Sequence, residues 1–97
     1  MNVIRSAQFD HWFTNLRDVA GKARVGARLD RLIMGNPGKY RNLTHGVAEL
    51  KIDVGPGYRV YFTQRGKLLI ILLCGGDKHS QAADIEEAIR LAKSFKD

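Results

Sequence analysis

The chain has 97 residues, of which 44% are hydrophobic and 27% charged, and it holds one cysteine, Cys74. That balance excludes a disordered chain, and a lone cysteine excludes a disulfide framework. Sixteen Lys and Arg against ten Asp and Glu leave a net charge of +6, a field that attracts polyanions such as nucleic acid, or an acidic partner.

The length suits a single domain covering 1–97. Met1 to Asp10 lacks the apolar stretch of a signal peptide. The longest apolar run, Leu68 to Cys74, is far too short to span a bilayer. The expected location is cytoplasmic, with no membrane partner.

Phe9, Trp12, Phe13, Leu16, Val19 and Ala20 recur at helical spacing, with Ser6 as N-cap and Gly21 as stop. A second helix follows, antiparallel to the first, with Val25, Leu29, Leu32 and Ile33 on its buried face and Gly35-Asn36-Pro37 ending it. Arg24, Arg28 and Arg31 form a stripe on another face, which reads either as a solvated surface or as a set of phosphate contacts.

The period then drops to two. Ala48, Leu50, Ile52 and Val54 alternate with Glu49, Lys51 and Asp53; after Gly55-Pro56-Gly57, Tyr58, Val60 and Phe62 alternate with Arg59, Tyr61 and Thr63. Arg65-Gly66 makes a second turn, and the run from Lys67 to Cys74 reads as a strand buried on both faces. Gly75 to His79 is a loop. Ser80 caps a last helix whose buried face is Ile85, Ala88, Ile89 and Ala92. The fold class is α+β: two N-terminal antiparallel helices on a small antiparallel sheet, a three-stranded meander, with a C-terminal helix. A short edge strand at Asn2 to Arg5 is an optional addition.

Pairing Val54 with Tyr58 sets Asp53 opposite Arg59, Lys51 opposite Tyr61 and Glu49 opposite Thr63, on one face. Pairing Gln64 with Lys67 adds Leu68, Ile70, Leu72 and Cys74 to that face, and the last helix must cover them. A shallow cleft between this helix and the Lys51/Arg59/Tyr61 strands is expected, open at the Gly75–His79 loop. The same face also reads as an ordinary solvated side of an antiparallel sheet.

His11, His45 and His79 are scattered and no HExxH, CxxC, Walker or Gly-x-Ser-x-Gly pattern occurs, so neither a metal site nor a cofactor is expected. Metal-free phosphate chemistry remains. Arg59 suits a phosphate, because its planar fork holds two oxygens. Lys51 and Lys78 add charge, His79 can serve as acid or base, and Tyr61 can stack a base.

The stretch Gly46 to Phe62, with Gly57-Tyr58-Arg59-Val60 at its centre, and the segment Leu72 to Gln81 followed by Asp84-Ile85 resemble the RelE/HigB-type toxins of bacterial toxin–antitoxin modules. More narrowly they are similar to the phage-derived "addiction module killer" branch. Phe9/Trp12 and Arg28-Leu29 through Gly35-Asn36-Pro37-Gly38 fit as well, so the resemblance covers nearly the whole chain. It implies a RelE-like fold, a cognate antitoxin encoded alongside, and ribosome-dependent mRNA cleavage that arrests growth. Carried over by position, Arg59 matches the family's strand arginine and Lys51 a basic residue on the preceding strand; Lys78 and His79 fall where further catalytic groups lie. The tail Ala92 to Asp97 departs from the RelE pattern in having no tyrosine, which favours a HigB-like constellation using histidine. ParE-type toxins, which poison DNA gyrase without catalysis, share the fold and are the alternative.

Overall fold

In the computed structural model, which describes residues 1–95, the elements follow the changes in apolar period. They are β1 (Asn2–Arg5), α1 (Ala7–Thr14), α2 (Val19–Ile33), β2 (Tyr40–Asn42), β3 (Val47–Ile52), β4 (Tyr58–Arg65), β5 (Leu69–Gly76) and α3 (Gln81–Ser94). The class is α+β. The last two tail residues, Lys96 and Asp97, lie outside the described residues.

The sheet is larger than the expected meander. Five strands run in the order β1-β5-β4-β3-β2, with β1 parallel to β5 and the other pairs antiparallel. Strand β2 had no forecast, since three exposed residues, Tyr40 to Asn42, carry no burial pattern. The first helix is shorter than its apolar spacing suggested. Ser6 does cap it, its Oγ accepting from the Phe9 N–H at 2.9 Å. It ends at Thr14, because Asp18 starts a new helix by accepting from the Gly21 N–H at 3.0 Å. Gly21 is therefore buried inside α2 rather than a stop, and Val19 is exposed. At the other end Ser80 holds the N-cap position of α3 without a side-chain capping bond, and Asp77 caps the short 3-10 turn at Lys78–Ser80 that leads into it.

Two cores lie on the two faces of the sheet. Phe9, Val25, Leu29 and Leu32 of α1 and α2 cover Leu50, Ile52, Val60 and Phe62. Ala88, Leu91 and Ala92 of α3 cover Val47, Tyr61, Ile71 and Leu73.

Both hairpin registers differ from the sequence expectation. The first loop runs from Asp53 to Gly57, because the Val54 carbonyl accepts from the Gly57 N–H at 3.0 Å and is spent on the turn. Ile52 then pairs with Tyr58, Lys51 with Arg59 and Glu49 with Tyr61. Arg59's partner has moved from Asp53 to Lys51, an even slip that keeps every side chain on its face. At the second turn Arg65 pairs with Leu69 and Gln64 with Ile70, an odd slip that exchanges faces. Ile70 and Leu72 therefore join the α1/α2 core, while Ile71 and Leu73 face α3. An irregularity between Tyr61 and Phe62 pairs them with Cys74 and Leu72, skipping Leu73, and so returns Cys74 to the face of Tyr61.

Candidate functional site

On the α3 face, where the sheet runs out from under the helix, the alternation of β3 and β4 leaves Glu49, Lys51 and Arg59. A hollow of about 460 Å3 is lined by Lys39, Arg41, Glu49, Lys51, Arg59 and Gln81, among others. A second, of about 390 Å3, adjoins it and is lined by Lys51, Asp53, Gly57, Arg59 and Lys78 with the rest of the turn. Lys51 and Arg59 belong to both, so the two form one cleft. Another hollow of about 390 Å3, between Leu32, Pro37, Tyr40, Phe62 and Ile70, has no Asp, Glu, Lys, Arg or His in its lining.

Arg59 is the centre of the cleft. Its side chain is only 8% exposed, Nη1 donates to the Gly57 carbonyl at 2.9 Å, and Nε lies 3.8 Å from Glu49 Oε2. Nε has no hydrogen-bond acceptor. Glu49 is as deeply buried, at 3% side-chain exposure. Its Oε1 accepts from Arg41 Nε at 2.8 Å and its Oε2 from Gln81 Nε2 at 2.9 Å. Burial pushes this carboxyl up, but hydrogen bonds from Arg41 and Gln81, with the Arg41 charge, outweigh it and hold it below the usual carboxylate range. Glu49 therefore stays an anion at neutral pH and joins strand β2, strand β4 and the first residue of α3.

At the other end, Asp53 lies between two lysines, 3.1 Å from Lys39 Nζ and 3.9 Å from Lys51 Nζ. The Lys39 hydrogen bond is the main reason its carboxyl is held low.

Of the residues expected in the site, Arg59, Lys51 and Lys78 come together. His79 adjoins Lys78 but is outside both linings; its side chain is 87% exposed, with Nδ1 3.6 Å from Asp77 Oδ1. Tyr61 cannot stack a base. It is fully buried under α3, and burial, followed by the Glu49 charge, raises its phenol far above the ordinary range. Arg28 is not a phosphate contact either. Its guanidinium donates to the carbonyls of Lys51 at 2.6 Å, Pro37 at 2.9 Å and Lys39 at 2.8 Å, and so clamps the chain leading into β2. Arg24 and Arg31 are exposed on α2, which covers the opposite face of the sheet, so the arginine stripe does not join the cleft.

Sequence reasoning passed over Lys39, Arg41, Glu49 and Gln81. The signal for the first two was Lys39-Tyr40-Arg41, an alternation too short to stand out. Glu49 was on the correct face but opposite Thr63. Among the described residues no three His, Cys, Asp or Glu side chains cluster so as to hold a metal ion, and no helix is long and apolar enough to cross a membrane.

The chain is similar to a protein from Haemophilus influenzae described as uncharacterized: 46% identical over 87 residues, which are 90% of this chain and 88% of that one. No family model and no solved structure matches it.

Proposed function

We propose that this chain, which belongs to one family with the Haemophilus influenzae protein, is the toxin of a toxin–antitoxin module and cleaves mRNA on the ribosome without a metal. The observation that carries the reading is the cleft itself: Lys51, Arg59 and Lys78 line one hollow in a chain of net charge +6. RNA cleavage of this kind joins the 2′-oxygen to the neighbouring phosphorus and expels the 5′-oxygen, leaving a cyclic phosphate and a 5′-hydroxyl. It needs cations at the phosphate, a base for the 2′-proton and an acid for the leaving oxygen.

Arg59 takes the phosphate. Its guanidinium is oriented by the Gly57 carbonyl and the Glu49 carboxylate. Lys51 and Lys78 stabilise the charge that grows on the oxygens. Of the three histidines, His79 is the one that adjoins the cleft, and it takes the 2′-proton as base, while the leaving 5′-oxygen is protonated by solvent water. The partner that restrains the toxin is an antitoxin encoded alongside.

The test is brief induction in a growing bacterium with mapping of mRNA 5′ ends, beside an assay for gyrase-linked DNA breaks. New transcript ends that disappear with Lys78→Ala, and with Arg59→Ala once its unfolding curve shows it folded, support the reading. DNA breaks with intact transcripts make the chain a gyrase poison instead.

A further inference from the structure

We infer that Lys39 and Lys51 form a second phosphate subsite beside Arg59, so that single-stranded RNA lies across the strands, with Asp53 holding the subsite until RNA arrives. The inference rests on the RNA reading and adds to it a path, a direction and a counter-ion.

The path follows from the pairing. The Lys51 N–H donates to the Lys39 carbonyl at 3.2 Å, which sets Lys51 of β3 beside Lys39, the residue just before β2. Lys51 pairs with Arg59, and Arg59 with Gly76. Neighbouring strands lie about 4.8 Å apart, so Lys39, Lys51 and Arg59 form a row roughly 10 Å long, perpendicular to the strands. Across the sheet the row stops at β5, and it turns toward the Gly55–Gly57 loop. Gly76 offers no side chain there, since a Cβ would meet Asp84 Oδ2 at 1.8 Å. Lys78 takes over: the Cβ position of Gly57 lies 3.4 Å from Arg59 Nη1 and 3.7 Å from Lys78 Cβ.

Such a row of cations repels itself and needs anions. Glu49 serves the buried Arg59, while Asp53 serves the exposed pair, one oxygen toward each lysine. The two arrangements differ in access. Glu49 is closed off, whereas Asp53 is 57% and Lys39 64% exposed. A carboxylate between two lysines occupies the position that two oxygens of a phosphate would take, and it can turn to solvent when one arrives. Arg59 lies next in the row, with its Nε turned inward to Glu49 Oε2 at 3.8 Å. The two sites side by side fit a polymer of phosphates better than a single nucleotide.

The experiment measures binding apart from cleavage, using the full chain and a 2′-O-methylated RNA oligonucleotide that cannot be cut, with anisotropy followed against salt. Asp53→Asn is expected to tighten binding on the order of fivefold, because it removes an opposing charge near 4 Å. Lys39→Ala is expected to weaken it and to lower the log–log salt slope by about 0.7 for the lost phosphate. Thermal unfolding of each variant checks its fold; both side chains are exposed, so midpoints should stay within a few degrees of the wild type.

If Asp53→Asn and Lys39→Ala bind the oligonucleotide like the wild type, the second subsite is overturned and the RNA reading stands. If the wild type binds no oligonucleotide at low salt, the subsite is overturned as well, and blank 5′-end maps would then take the RNA reading with it. Preference for a poly-glutamate peptide over the RNA overturns the inference in favour of an acidic protein ligand.

Discussion

Replacing Glu49 with glutamine removes one charge and almost no volume, and it should be among the most damaging isosteric changes in the chain. Glu49 Oε2 is 3.8 Å from Arg59 Nε, and both side chains are under 10% exposed. At an effective dielectric near 20, two such charges attract by about 4 kcal/mol. Desolvation offsets part of this in the wild type, but the variant leaves Arg59 buried without its counter-ion. Breaking a buried pair by removing one partner costs about 3–5 kcal/mol. The glutamine oxygen still accepts one hydrogen bond, from Arg41 or Gln81, so the lower end, about 3 kcal/mol, is expected. In a chain of this size that lowers the unfolding midpoint by roughly 10–20 °C. The assay is a double-mutant cycle of Glu49→Gln and Arg59→Met by urea and thermal unfolding at neutral pH. Removing both charges should cost less than the sum of the single changes by about 1–3 kcal/mol. Single costs that add within about 0.5 kcal/mol would mean that Glu49 and Arg59 do not stabilise one another, and the reasoning would fail.

Acid should destabilise the fold through Asp18, Glu49 and Asp53, whose carboxyls are all held low. In Asp18 the Gly21 N–H is the main cause and the Tyr58 hydroxyl the next. A carboxyl lowered by folding stabilises the native state above its unfolded pKa, and that contribution fades as pH falls through the folded value. Stability should therefore be flat above about pH 5 and fall below about pH 4, with a shallower fall in Glu49→Gln; denaturant midpoints across pH 2–7 test this. Gly75→Ala should cost about 3 kcal/mol, because the new Cβ would meet Trp12 Cε3 and Cζ3 at 2.3 Å. Chemical unfolding measures it, and a cost below about 1 kcal/mol would show that Trp12 swings aside. Cys74 is buried and its thiol is pushed up to about 12, first by burial and then by the Asp84 charge. A thiol reagent at pH 8 should label it only as fast as the chain opens, so labelling should follow the unfolding rate as denaturant is raised.

Local pattern was enough for much of this protein. Alternation along Val47–Ile52 and Tyr58–Arg65 separates Leu50, Val60 and Phe62 from Glu49, Lys51 and Arg59, because a strand's side chains point to opposite faces whatever its partner. Ser6 was readable as a cap for the same reason: its bond to Phe9 spans three residues. The α+β class followed from the change of period alone.

What lay beyond the sequence depended on partners far along the chain. Register hung on which carbonyl closed each turn, and an odd slip at Gly66 exchanged the faces of Ile70 and Leu72. Strand β2 exists because β3 offers an edge and Arg28 clamps its entry, and no property of three exposed residues announces that. Tyr61 and Arg28 each look able to reach nucleic acid. Whether an aromatic ring is open or covered, and whether a guanidinium is free or spent on carbonyls, is decided by what packs on it: α3 for Tyr61, the Pro37–Lys39 segment for Arg28. The sequence by itself determined the faces of β3 and β4 and the charge; only the tertiary structure decided the face of β5 and which charges meet, because register, burial and electrostatics act through distances that span the whole chain.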